Sequence, residues 1–201
     1  LYYFQTIDPA WSGSKKAHYA AVVVVGVDAA NNWWVRDIWR ERDVSELDIG
    51  SQVITNYETY GCLSTGIETV FEQISFKRTI EEMMSKRNQF FEIKSLEANI
   101  AKKPMRIRSI VARWEQDKIF LPKGHKHTQT LVDEILNFPN GKTDDILDAL
   151  AYHAQLTFTP PPDDEFEKES RVRAVKLADQ ETGMVYHGHI QDMMEGEYAD
   201  D

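Results

Sequence analysis

The chain has 201 residues, of which 42% are hydrophobic and 28% are charged. This composition is typical of one globular domain with a core and excludes a chain that is disordered throughout. The longest apolar run, residues 20–25, is far shorter than the roughly 20 residues that cross a bilayer. The single cysteine, Cys62, excludes an internal disulfide. We therefore expect a cytosolic protein that spans no membrane.

The net charge of -10 is distributed unevenly along the chain. Residues 1–158 carry 19 basic and 21 acidic side chains, whereas residues 159–201 carry 4 and 12. Within residues 76–127 the balance reverses to 13 basic against 6 acidic side chains. A basic region beside an acidic cluster is typical of a metal-dependent enzyme that acts on a polyanion. A solvated helical surface would carry the same charges.

The first half of the chain predicts a three-strand meander, a helix and a further strand. β-branched and aromatic runs indicate strands over residues 2–7, 20–27, 33–39 and 62–67. Asp43, with Glu46 three residues later, matches a capping box that starts a helix, and Gly61 ends it. Pro9 stops the first strand directly after Asp8, because proline has no amide hydrogen to donate.

The second half predicts helices that alternate with short extended segments. Helices are expected over residues 70–88, 104–115, 128–138 and 144–156, and extended segments over residues 90–96 and 119–122. Thr143 is expected to cap the last helix. A meander followed by alternating helices and strands predicts an α/β fold, with a mixed central sheet and helices on both faces.

Three consecutive prolines at residues 160–162, followed by three acidic residues, mark a domain boundary. We expect one domain over residues 1–158 and an acidic linker and tail over residues 159–201. Within the tail, residues 171–177 and 184–190 are predicted to pair as a hairpin.

Carboxylates stand at three places where an apolar segment meets a polar one. Asp8 and Glu68 follow predicted strands, and Asp144, Asp145 and Asp148 begin the last helix. Asp148 shares a helix face with the other two, because residues three and four apart are neighbours. Carboxylates that converge repel one another unless a cation neutralises them. These oxygen donors predict two Mg²⁺ or Mn²⁺ ions, which can activate water and stabilise the leaving oxygen of a phosphodiester.

Each candidate also has a purely structural interpretation, which the sequence leaves open. Asp8 before Pro9 is typical of a turn, and acids at helix starts are favoured by the helix dipole. His125 and His127 could ligate metal or activate water, but loop histidines are more often solvated groups. His153 is expected to be structural.

Four segments together resemble a known family. They are residues 7–10 (Ile-Asp-Pro-Ala), 66–69 (Gly-Ile-Glu-Thr), 103–107 (Lys-Pro-Met-Arg-Ile) and 138–150, which contains Asp-Asp-Ile-Leu-Asp-Ala-Leu. Over residues 1–158 the chain resembles the C-terminal nuclease domain of tailed-phage large terminases, within the RNase H-like superfamily. The last segment is the most specific of the four.

The resemblance implies an endonuclease that cuts concatemeric double-stranded viral DNA during genome packaging in the host cytoplasm, with Mg²⁺ or Mn²⁺ at the acidic cluster. By position, Asp8 corresponds to the first catalytic metal ligand and Glu68 to the second. The third is Asp144 or Asp145, and Asp148 lies at the edge of the site. The implied partners are a packaging ATPase domain that would precede residue 1, a portal and a small terminase subunit.

Basic side chains are expected to hold DNA phosphates with little regard to base sequence, and more weakly as the salt concentration rises. They are Lys77, Arg78, Lys102, Lys103, Arg106, Arg108 and Arg113. Two alternative functions stay open. One is a Holliday-junction resolvase or transposase-like nuclease of the same fold, and the other is a non-catalytic DNA-docking module of the packaging motor.

Overall fold

The computed structural model describes residues 1–9, 19–69, 73–97 and 103–161. Chain contacts divide the molecule into two units, Leu1–Thr159 and Pro160–Asp201. The hairpin predicted within residues 171–190 lies outside the described residues, as does Lys102. Among the helices of the described ranges, none is long and apolar enough to cross a membrane.

Within the described ranges, six strands form one mixed sheet in the order β5-β4-β1-β2-β3-β6. The meander of β1, β2 and β3 is antiparallel, whereas β4 pairs with β1, β5 with β4 and β6 with β3 in parallel. This confirms the predicted mixed sheet. The bounds are β1 Tyr2–Asp8, β2 Ala20–Val27, β3 Trp33–Glu41, β4 Ser64–Thr69, β5 Glu92–Glu97 and β6 Ile119–Phe120.

Five helices of the described ranges cover both faces of the sheet. Their bounds are α1 Glu46–Tyr60, α2 Gln73–Arg87, α3 Lys103–Glu115, α4 Thr128–Asn137 and α5 Asp145–Leu156. One hydrophobic cluster packs α1 and α2 against the sheet, and a second packs α3, α4 and α5 against the opposite face. Helices on both faces were predicted, and the two clusters confirm them.

Strand β2 is buried along its whole length because both of its faces carry core contacts. Val23 and Val25 belong to the α5 cluster, and Val22 belongs to the α1 cluster. This alternation follows from the two-residue period of a strand. In β1 the same period sends Phe4 towards α5 and Ile7 towards α1, so Asp8 lies on the α5 side.

Two of the predicted helix caps were wrong. Helix α1 is capped by Ser45, whose hydroxyl accepts from the amide of Asp48 in a capping box, and Asp43 instead has a left-handed φ of 53° before the cap. The end at Gly61 is confirmed, with φ 64°. Helix α5 begins after Asp144 with no side-chain cap bond from that residue, and Thr143 donates its hydroxyl hydrogen to Glu134.

Candidate active site

Strand register brings three charged residues to one edge of the sheet. Asp8 pairs with Ala21 on β2, and Ala21 pairs with Arg40 on β3. On the other side of β1, Ile7 pairs with Ile67, so that Glu68 stands beside Asp8 on the neighbouring parallel strand. The sheet therefore presents two acids and one arginine in a row across four strands.

Helix α5 is held against this edge by buried hydrogen bonds to β1. The Thr6 hydroxyl donates to the carbonyl oxygen of Ala149 at 2.6 Å, and its oxygen lies 2.9 Å from Nδ1 of His153. Both side chains are fully buried. Burial lowers the pKa of His153 to about 4, so the ring is neutral at pH 7 and has a structural role. The first turn of α5 is thereby positioned over the end of β1.

Asp8 lies within an unusually negative environment. Burial raises the pKa of Asp8 well above its usual range, and the nearby carboxylates of Asp148, Asp145 and Glu68 raise it further, while Lys103 acts in the opposite direction. Acids remote in sequence are thus close enough to repel one another. Asp144 is not among the largest contributors to this shift.

Asp145 is held by a buried ion pair. The guanidinium of Arg40 lies 3.1 Å from Oδ2 of Asp145 and 3.8 Å from Oε1 of Glu134. Glu134 is 3% exposed, and its Oε2 accepts the amide hydrogen of Leu147 at 2.9 Å in the first turn of α5. Burial raises the pKa of Glu134 even though this bond and Thr143 lower it. Glu134 therefore supplies the cap that Thr143 was expected to provide.

Asp148 is held by two cations from α3. Arg106 donates to Oδ1 of Asp148 and stacks 3.9 Å from the ring centroid of Tyr152. The Lys103 ammonium lies 3.1 Å from Oδ2 of Asp148 and 2.9 Å from Oδ2 of Asp144. Burial lowers the pKa of Lys103, but the two carboxylates outweigh it and the net shift is upward. Lys103 thus joins the two acids through one positive charge.

The structure separates the two acids that the sequence left equivalent. The side chain of Asp145 is 8% exposed, and it belongs to the group around Asp8. The side chain of Asp144 is 40% exposed and bonds to Lys103. Asp148, which was expected only at the edge, is among the acids that act on Asp8 most strongly.

The candidate DNA-binding residues fall into two groups. Lys103 and Arg106 belong to the acidic cluster, and Arg113 bonds to the carbonyl oxygen of Asn31 and lies over the Trp33 ring. Three further candidates of the described ranges are more open to solvent. Lys77 and Arg78 pair with glutamates one turn further along α2, and Arg108 is exposed.

Sequence reasoning missed Arg40, Glu134 and Tyr152. Arg40 follows buried Ile38 at the two-residue period of β3, which could have indicated an inward position. Glu134 follows buried Leu131 by three residues on α4, so it shares the buried face. Tyr152 stands one turn after Asp148, and burial together with the adjacent Glu68 raises its pKa.

The residue types fit a hard divalent cation, because every donor in the cluster is a carboxylate oxygen. Asp8 is repelled by three neighbouring carboxylates, and a cation would relieve this repulsion. In the described part of the chain, no group of three or more acidic, histidine or cysteine side chains is arranged so that it could hold a metal ion. Asp145 and Asp148 instead bond to Arg40, Arg106 and Lys103.

Solved structures share this architecture. The large terminase nuclease of thermophilic phage G20c, in a structure with bound zinc, matches with a TM-score of 0.57 and 18% identity, over 78% of this chain and 82% of that chain. This chain has the RNase H-like fold of that nuclease. A second structure of the same nuclease matches with a TM-score of 0.56 and 16% identity, over 78% and 83% of the two chains.

A longer terminase chain is also among the matching structures. The HK97 bacteriophage large terminase matches with a TM-score of 0.49 and 8% identity, over 68% of this chain and 32% of that chain. No protein-family model and no curated protein matches the sequence. The likeness to large terminase nucleases predicted from four short segments is therefore confirmed in the fold.

Proposed function

We propose that this protein is a metal-dependent endonuclease that cuts concatemeric double-stranded viral DNA during genome packaging, as the nuclease part of a large terminase. The observation that carries the proposal is the convergence of Glu68, Asp145 and Asp148 on Asp8, at the edge of an RNase H-like sheet. Its setting would be the host cytoplasm. A packaging ATPase, a portal and a small terminase subunit would be its partners.

The acidic cluster is the proposed metal centre, with Mg²⁺ or Mn²⁺ as the cation. Two ions bound there would supply an activated water and stabilise the charge on the leaving oxygen. Oxygen donors favour these ions over zinc, although the G20c nuclease structure contains zinc. Asp8 and Glu68 would hold the cations from the sheet, and Asp145 and Asp148 from α5.

The surrounding side chains would orient these ligands. Arg40 holds one oxygen of Asp145, which fixes the orientation of that side chain. Glu134 fixes the first turn of α5 through the amide of Leu147. Tyr152 lies near enough to Glu68 for that acid to raise its pKa, and would border the site on that side. Such support is needed because small displacements of a catalytic group reduce the rate strongly.

DNA would be held mainly through its phosphates. The exposed cations are those with freedom to reach a phosphate, which favours Arg78 and Arg108 over Arg106. Each phosphate contact releases counterions, so affinity is expected to fall steeply with salt and to depend little on base sequence. Lys77 and Lys102 complete the proposed set.

A plasmid-cleavage assay with the full chain tests the proposal. Supercoiled plasmid and linear duplex are incubated with Mn²⁺ or Mg²⁺, with EDTA, and with the variants Asp8→Asn and Asp117→Asn. The control Asp117 lies exposed in the turn between α3 and β6, and its left-handed φ of 54° suits asparagine. Cleavage that needs the cation, survives Asp117→Asn and is lost in Asp8→Asn supports the proposal.

Two other results would overturn it. Preferential cutting of a four-way junction over linear duplex would assign the chain to the Holliday-junction resolvases or transposase-like nucleases. Binding of duplex with no cleavage and no Mn²⁺ uptake in calorimetry would make it a non-catalytic docking module of the packaging motor.

A further inference from the structure

Lys103 occupies an unusual position for a lysine. It is the first residue of α3, where the positive end of the helix dipole disfavours a cation. Its side chain is only 30% exposed, although lysine is normally found in solvent. The carboxylates of Asp144 and Asp148, whose Oδ2 atoms lie 2.9 and 3.1 Å from the Lys103 ammonium, compensate for both disadvantages.

Lys103 engages an oxygen of Asp148 that a cation bound to this acid would also need. Arg106 bonds to Oδ1 of Asp148, and Lys103 bonds to Oδ2. Both oxygens of this acid are therefore engaged by protein cations. Arg106 is fixed, because its guanidinium packs over Tyr152 and its side chain is 7% exposed. Lys103 is more exposed and ends in a compact ammonium on a flexible stem.

We propose that Lys103 competes with the divalent cation for Asp148. Asp144 anchors the lysine nearby, and the Lys103 ammonium must leave Oδ2 of Asp148 before that oxygen can ligate a metal ion. The inference rests on the proposed metal centre. Asp144 then serves as the partner that retains the lysine rather than as a metal ligand. The consequence is an affinity for divalent cations below that of the same carboxylates without Lys103.

Calorimetric titration of the full chain with Mn²⁺ tests the competition without any measurement of cleavage. Replacing Lys103 by methionine keeps the length of the apolar stem and removes the charge. We expect Lys103→Met to bind Mn²⁺ roughly 10-fold more tightly, a change of about 1.4 kcal/mol. Lys103→Arg should not bind more tightly than the wild type. Lys94→Met, which removes a charge paired with Glu92 on β5, is the matched control and should leave the affinity unchanged.

Thermal unfolding provides the second measurement. Without divalent cation, Lys103→Met should be less stable than the wild type, because Asp144 and Asp148 lose a shared partner. Added Mn²⁺ should raise its melting temperature more than that of the wild type, because tighter binding stabilises the folded state further.

The outcomes separate the inference from the proposed function. If neither the wild type nor Lys103→Met takes up Mn²⁺, the metal centre is wrong and the inference with it. If the wild type binds Mn²⁺ and Lys103→Met binds it equally or more weakly, the competition is refuted while the metal centre stands. Equal tightening of Mn²⁺ binding in Lys94→Met would attribute the effect to net charge and also refute the competition.

Discussion

The hydroxyl of Thr6 donates a hydrogen bond to the carbonyl oxygen of Ala149, and the 2.6 Å contact joins the central strand to the last helix. Thr6 precedes Asp8 by two residues on the same side of β1, and Ala149 directly follows Asp148. One buried bond thus lies close to both halves of the acidic cluster. This bond and the hydrophobic packing of α5 together set the relative position of the strand acids and the helix acids.

Replacing Thr6 by valine should lower both stability and metal affinity. The variant loses a buried hydroxyl that contacts Ala149 and His153, and the expected loss is about 1 to 2 kcal/mol in the free energy of unfolding. Urea unfolding and Mn²⁺ titration measure the two effects. Thr6→Ser keeps the hydroxyl and is the control. Unchanged Mn²⁺ affinity in Thr6→Val would contradict the positioning role.

The ion pair between Arg40 and Asp145 should contribute far more to stability than a surface pair. Replacing Arg40 by methionine leaves Asp145 and Glu134 as buried charges without their cation, and should cost about 3 kcal/mol. Arg78→Met breaks a pair whose side chains are 81% and 59% exposed, and should cost less than about 1 kcal/mol. Chemical unfolding of both variants measures the difference. Similar losses of unfolding free energy in the two variants would show that the buried Arg40 pair contributes no more to stability than the surface pair.

Neutralising Asp8 should stabilise the protein when no divalent cation is present. The pKa of Asp8 is raised in the folded state, mainly by burial, so its ionised form opposes folding and stability increases as the pH falls through that pKa. Asparagine imitates the neutral form. Asp8→Asn in EDTA should therefore melt above the wild type at pH 7, and this advantage should shrink as the pH is lowered. A lower melting temperature at pH 7 would contradict the repulsion.

His153 should make the fold sensitive to mild acid. Burial lowers its pKa to about 4 in the folded state, whereas the unfolded value is about 6.5. The unfolded chain therefore binds the proton first, and stability is lost as the pH falls from about 6.5 towards 4. Between pH 7 and pH 5 we expect a loss of about 2 kcal/mol. Urea unfolding of the wild type and His153→Asn measures it, and an equal pH dependence in both would exclude His153 as the cause.

The two neighbouring acids at the start of α5 should differ in their effect on metal binding. Asp148→Asn should weaken Mn²⁺ binding at least about 10-fold, because Asp148 belongs to the group around Asp8. Asp144→Asn should bind Mn²⁺ as tightly as the wild type or more tightly, because Asp144 contacts Lys103 and is not among the main groups that act on Asp8. Calorimetry at one pH compares them. A greater loss in Asp144→Asn would reverse the assignment.

The sequence by itself determined the sheet and the meeting of acids at its edge. The apolar run of β2 required cover on both faces, and Asp8 and Glu68 each stand at the end of an apolar strand. The carboxyl ends of adjacent parallel strands meet at the same edge, so these two acids had to be neighbours once β1 and β4 paired. The residue periodicity of the strands and the order of the elements along the chain are enough for such conclusions.

Only the tertiary structure decided which charges pair. Asp145 faces Arg40 and Asp144 faces Lys103, although the two acids are adjacent and were equivalent by spacing. Lys103 and Arg106 looked like phosphate-binding residues, yet they bond to Asp148. The physical reason is that an ion pair depends on distance and burial between elements far apart in sequence, and neither quantity is present in local periodicity.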